Sequence, residues 1–200
     1  RPELEAIILA GGRATRLGGR AKPLLRRPDG RTLLEALVAS FAPVAERVWL
    51  CAPAEVHAAL RVAEPAVAGL EVVFDPGRGP GEAVQSALHE ITTDRVIWSV
   101  ADAPCPDVSL WRALIEGAEQ ADAALVEAEG RWQVGAVLAQ TASVALEPTS
   151  SLQGLLRGAH VHTIAYSELQ PAAREALRDV DVPARLPLRL APGTGSAQNS

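Results

Sequence analysis

The chain has 200 residues, 48% hydrophobic and 22% charged, which fits one globular domain and excludes a disordered or fibrous chain. Its net charge of -5 lacks the positive field of a nonspecific nucleic-acid binder. The apolar run Ala6 to Ala10 near the start falls far short of the roughly 18 residues a membrane span needs, so a soluble, cytoplasmic protein without a nucleic-acid or membrane partner is expected.

In chain order, Leu4 to Ala10 reads as a short strand buried on both faces, ended by Gly11-Gly12. A polar, glycine-rich loop runs to Lys22. Thr32 with Glu35 three residues later predicts a capping box, and the spacing of Leu33, Leu34, Leu37, Val38 and Phe41 gives that helix one apolar stripe. Strands are expected at Arg47 to Cys51, Leu70 to Phe74 and Val96 to Val100, with helices at Ala54 to Ala63, Glu82 to Glu90 and Val108 to Glu119. Ala123 to Glu127 and Val134 to Leu138 read as strands separated by Gly130-Arg131-Trp132-Gln133, either a hairpin or two separate strands of a mixed sheet. A helix at Leu152 to Leu156, a strand at Val161 to Tyr166 and a helix at Ala172 to Leu177 follow, and residues 192–200 read as a disordered tail. Short buried strands alternating with helices imply an α/β fold: a three-layer, doubly wound, mostly parallel sheet with helices on both faces. One domain over residues 1–191 is expected, in two halves that meet near residue 105.

Folds of this kind bind ligands in the loops after the carboxyl ends of their strands. Three such loops carry the unusual residues: Gly11 to Lys22, Asp75 to Gly81 and Ala101 to Pro106. The first combines paired glycines, which let backbone amides approach a polyanion, with Arg13, Arg16, Arg20 and Lys22, the sole lysine of the chain. A nucleotide phosphate suits it, although neither the P-loop pattern nor the dinucleotide G-x-G-x-x-G pattern is met. Asp102, at the end of a central strand and facing that loop, suits Mg²⁺. Asp179 and Asp181, two apart, share one side of an extended segment and form either a metal-side pair or a solvated turn. Cys51 and Cys105 form no C-x-x-C pair and fit a reducing compartment. Trp49, Trp98 and Trp111 read as core, Trp132 as an exposed ring suited to stacking on a flat ligand, and His160 with His162 as an incomplete metal set.

Together the opening L-A-G-G-x-x-x-R-L-G-G-x-x-K, the strand-end V-A-D-A-P and the late D-V-D-V-P resemble the nucleotidyltransferase family of molybdenum cofactor guanylyltransferases, the MobA-like family. More distantly they resemble cytidylyltransferases and sugar-phosphate nucleotidyltransferases. The likeness spans about Ala6 to Pro183. It implies that Leu9, Ala10 and Gly11 hold base and ribose, that Gly12, Arg16 and Lys22 hold the triphosphate, and that Asp75 contacts the nucleotide. It further implies Asp102 as a Mg²⁺ ligand, Asp179 or Asp181 as the second metal-side group, and Arg131, Trp132 and Gln133 as the acceptor segment. Ala21 stands where relatives often carry an acid before the lysine, and Cys51 where a polar nucleotide contact is common.

The activity so implied is Mg²⁺-dependent transfer of GMP from GTP to molybdopterin, with Arg16, Lys22 and Asp102 as the catalytic groups and pyrophosphate as leaving group. Transfer of CMP or GMP to another phosphorylated acceptor, or a nucleotide-binding protein without turnover, are the alternatives. The expected partners are a nucleoside triphosphate, the acceptor and a protein delivering it, with the chain a monomer or weak homo-oligomer.

Overall fold

The structure, a computed structural model, describes residues 4–11, 22–54, 56–58, 70–102, 106–177 and 189–190. Strand β1 (Leu4–Leu9) lies at its centre and is buried along its whole length. Its side chains alternate between two cores: Leu4, Ala6 and Ile8 point to one face of the sheet, Ile7 and Leu9 to the other. β3 (Arg47–Ala52) and β5 (Arg95–Val100) flank it in parallel, and β4 (Glu71–Phe74) adds in parallel outside β3.

Beyond β5 lie β7 (Arg131–Gln140), antiparallel to it, then β6 (Ala123–Ala128) and β8 (Val161–Ala165), giving the order β4-β3-β1-β5-β7-β6-β8. The expected α/β sheet is therefore present, with β7 as its antiparallel member. β6 and β7 form a hairpin within this mixed sheet. The turn between them is Glu129-Gly130, both at positive φ (53° and 72°), as a two-residue hairpin of matching twist requires. Arg131, Trp132 and Gln133, expected between the strands, consequently lie inside β7.

Helices cover both faces. α1 (Leu33–Phe41), α3 (Val108–Gly117) and α4 (Pro171–Ala176) pack on one core, where the rings of Phe41 and Trp111 stack at 4.4 Å. α2 (Pro80–Leu88) and the 3-10 turn Gln153–Leu156 pack on the other through Ala83, Val84, Ala87, Leu155 and Leu156. The capping box is formed as expected: the Glu35 amide donates to Thr32 Oγ1 at 3.1 Å, and the Thr32 amide to Glu35 Oε2 at 2.8 Å.

Several boundaries differ from expectation for local reasons. α2 begins at Pro80 rather than Glu82 because proline, lacking an amide hydrogen, suits the first helical position, and it ends at Leu88. α3 tightens into a 3-10 turn at Ala118–Gln120. The helix expected at Leu152 is only a 3-10 turn, with Gly154 packed against Thr149 and Ser151. A two-stranded sheet, β2 (Leu25–Arg26) with β9 (Arg189–Leu190), has no counterpart in the periodicity. Residues 54 and 56–58 are helical; the rest of that expected helix, and the expected tail, lie outside the described residues. No helix among the described residues is long and apolar enough to cross a membrane.

Candidate active site

Four strands, β4, β3, β1 and β5, run parallel and end side by side. Sheet hydrogen bonds fix those ends: the Ala10 amide donates to the Cys51 carbonyl at 2.8 Å, the Ala101 amide to the Leu9 carbonyl at 2.9 Å and the Asp75 amide to the Ala52 carbonyl at 3.0 Å. Chain order reverses between β1 and β5, which makes the end of β1 the switch point where such folds bind ligands. Leu9 and Ala10 are buried there and Gly11 is exposed just beyond them.

Asp75 reaches across the end of β3 to that point. Its Oδ1 accepts the Gly77 amide at 2.7 Å in a turn closed by Gly77 at φ 73°, which holds the carboxylate in place. A Cβ built on Gly11 would overlap Asp75 Oδ2 and stand 3.1 Å from its Cγ. The glycine thus leaves room for a close approach of the carboxylate, which a larger residue would displace. Asp102 follows the end of β5, the strand that flanks β1 on the side opposite β3.

Asp102 also lines a cleft of about 320 Å³ with Ser99, Trp132, Gln133, Gly135 and Leu177. Of the expected acceptor segment, Trp132 and Gln133 therefore meet Asp102, whereas Arg131 is exposed and does not line the cleft. Trp132 is half-buried and packs on the second core, a correction to the exposed ring expected for it: alternation along β7 turns it inward with Val134. Gly135 brings β7 close to β5; a Cβ there would stand 3.1 Å from Val100 Cγ2. Ser99, Gly135 and Leu177 carry no signal in the sequence, because they meet Asp102 only through the β5-β7 pairing and the end of α4.

Cys51 is fully buried beneath Gly11 and Asp75, its thiol donating to the Ala83 carbonyl at 3.3 Å. Burial, with the Asp75 charge adding to it, pushes the thiol up to about 12, so Cys51 is a packing residue and not a nucleophile. Trp49, Trp98 and Trp111 are buried as expected. Asp107 caps α3; the hydroxyl and amide of Ser109 hold its carboxyl below the ordinary range.

Lys22 opens a 3-10 turn, Lys22–Leu24, that packs against α1. Gly12, Arg16, Asp179 and Asp181 lie outside the described residues. No group of three or more His, Cys, Asp and Glu side chains comes together among the described residues, and His160 and His162 remain exposed at β8.

Comparison with known proteins gives a concordant picture. The model of the MobA-like NTP transferase domain matches residues 6–185. A probable molybdenum cofactor guanylyltransferase of Carboxydothermus hydrogenoformans is 30% identical over 131 residues, 64% of this chain and 61% of that protein. A molybdenum cofactor guanylyltransferase of Rhodopseudomonas palustris is 34% identical over 142 residues, 65% of this chain and 63% of that protein. The chain thus spans less than two thirds of the length of these relatives. Among solved structures, the bifunctional IspDF of Campylobacter jejuni shares the fold, with a TM-score of 0.67 at 18% identity, covering 89% of this chain and 52% of that one. A strand order that makes β1 the switch point, a carboxylate brought against Gly11 at its end and a family match over nearly the whole chain converge on one assignment: the chain belongs to the MobA-like NTP transferase domain family.

Proposed function

We propose that the protein is a nucleotidyltransferase that moves GMP from GTP to molybdopterin and releases pyrophosphate. The observation that carries this reading is the Asp75 carboxylate brought against Gly11 at the end of β1, with a cleft lined by Asp102, Trp132 and Gln133 past the end of the neighbouring β5. It supports a nucleotide bound over the end of β1 and an acceptor in the Asp102 cleft. The two guanylyltransferase relatives support the choice of base and acceptor.

In this reading Gly11, with the ends of Leu9 and Ala10, receives base and ribose, and Asp75 contacts the nucleotide. Gly12, Arg16 and Lys22 hold the triphosphate. The terminal phosphate of the acceptor attacks the α-phosphorus in line, the bond to the bridging oxygen breaks, and pyrophosphate carries away the electron pair. Little covalent work is asked of the protein; Lys22 and Arg16 offset charge growing on the α-phosphate and leaving group. Trp132 and Gln133 orient the acceptor beside Asp102. The half of the chain up to about residue 105 serves the nucleotide and the half after it the acceptor.

Asp102 fits a divalent metal by its chemistry: a hard carboxylate oxygen lining an open cleft suits Mg²⁺, which needs only one or two protein carboxylates and completes its shell with water and phosphate oxygens. Asp102 would hold it, with Asp179 or Asp181 as second group, and the ion would supply charge neutralisation at the phosphates. We place the reaction in the cytoplasm.

Thermal stabilisation by GTP, CTP, ATP and UTP, with and without Mg²⁺, tests the reading. A shift for GTP, enhanced by Mg²⁺ and lost in Asp102→Ala, is expected. A preference for CTP would overturn the base, and no shift with any nucleotide would overturn the enzyme.

A further inference from the structure

The segment 145–151, between β7 and the turn at Gln153, has no regular structure, and Leu146 within it is 84% exposed. It is nonetheless clasped to α2. Gln85 Nε2 donates to the Ala145 carbonyl at 2.7 Å and to the Glu147 carbonyl at 2.8 Å, using both amide hydrogens on one strap of backbone. The Gly81 amide donates to the Ser150 carbonyl at 3.2 Å. Gly79, at φ 121°, has room for nothing larger: a Cβ there would stand 2.6 Å from the Ser150 carbonyl oxygen.

The two ends of this clasp face different parts of the site. α2 follows the Asp75 to Gly79 loop, whose carboxylate lies over Gly11. The strap leads into Ser151, Gln153 and Gly154, which with Trp132 bound a recess of about 400 Å³. Trp132 is shared between that recess and the Asp102 cleft. Whatever sets the strap therefore sets the far wall beside Trp132.

We propose that Gln85 is a positioning residue for the acceptor: by holding two carbonyls of the strap it fixes the wall that bounds the Trp132 recess, and ties that wall to the helix that follows the nucleotide loop. The proposal rests on the acceptor reading of the Asp102 cleft given above, which meets this recess at Trp132. Gln85 touches neither substrate. Its role requires hydrogen donors, so shape alone does not satisfy it.

The test compares Gln85→Glu, equal in size but without the donors, with Gln85→Lys, which restores donors. Amide exchange is read over 145–155, where the Ala145 amide donates to Leu155 and the Gly154 amide to Ser151, with β1 as internal control. In Gln85→Glu, exchange over 145–155 is expected to rise about thirtyfold while β1 stays unchanged, the equivalent of the two net hydrogen bonds lost. In steady-state kinetics with GTP and molybdopterin, KM for molybdopterin is expected to rise about tenfold and KM for GTP to stay within about twofold, with Gln85→Lys recovering both readouts. Unchanged exchange in Gln85→Glu, equal rises in both KM values, or no recovery in Gln85→Lys would each overturn the proposal. If the wild type transferred nothing to molybdopterin while GTP still stabilised it, the acceptor role would fall with the acceptor reading, and the exchange experiment alone would decide whether the clasp exists.

Discussion

Gly11→Ala is the substitution on which the site geometry bears most directly. The backbone itself tolerates alanine, since Gly11 has no positive φ, and Pro53 Cδ at 3.4 Å from the added Cβ is an ordinary contact. The conflict is with the Asp75 carboxylate, which must rotate away and give up the 2.7 Å bond from the Gly77 amide. That bond is charge-assisted but solvent-accessible, so its loss is expected to cost about 1 kcal/mol of stability, the net worth of an ordinary hydrogen bond. On the proposed function, moving Asp75 would also remove its contact with the nucleotide, worth about 1.5 to 3 kcal/mol and so roughly 10- to 150-fold in the Kd for GTP. Urea unfolding and calorimetric titration with GTP are to be run on wild type, Gly11→Ala, Asp75→Ala and the double variant. In the Asp75→Ala background Gly11→Ala should be nearly silent, giving a coupling energy of about 1 kcal/mol or more for two groups in contact. Equal cost of Gly11→Ala with and without the Asp75 carboxylate would refute the reasoning.

Three further outcomes are expected. Lys22→Ala should lower kcat by about 10² to 10³, equivalent to roughly 2.7 to 4 kcal/mol for a lost charge-stabilising donor, and an unchanged rate would remove Lys22 from the chemistry. Cys51 should resist iodoacetamide at pH 8 in the folded protein and react on unfolding, read at that residue by peptide mass spectrometry, because burial holds its thiol protonated up to about 12. Glu5 is buried in β1; burial raises its pKa, but hydrogen bonds from Trp49 and Thr92 and the charge of Arg47 outweigh this and leave it below the ordinary 4.5. A lowered folded value means that its contribution is present above pH 4.5 and lost as pH falls through the folded value. Glu5→Gln should therefore be less stable than wild type by about 1 to 3 kcal/mol at pH 7, with the difference narrowing in acid, as followed by denaturant melts across pH.

What could be read in advance followed from local pattern. The apolar run of β1 and the capping box at Thr32 and Glu35 are each complete within a few residues, and both are formed. Signals that need a partner strand were not readable. Arg131 to Gln133 are polar enough to pass for a loop, and only pairing with β6 draws them into β7 and turns Trp132 inward. β2 and β9, two residues each, have no periodicity to detect. In the site, Gly11 suggests close approach by a ligand, yet its nearest neighbour is the Asp75 carboxylate, brought there from 64 positions away by the order of β4, β3 and β1. Gln85 and the strap it holds, Ser99 and Gly135 were silent for the same reason: their roles arise from what the sheet and α2 place opposite them.

The most direct test of the central claim is to incubate the protein with GTP, Mg²⁺ and molybdopterin and to measure pyrophosphate together with the guanylylated product, in wild type and in Asp102→Asn. The account predicts pyrophosphate and product in equal amounts, made by the wild type and reduced by about 100-fold or more in Asp102→Asn. No pyrophosphate from any nucleoside triphosphate, or a rate that Asp102→Asn leaves untouched, would contradict it.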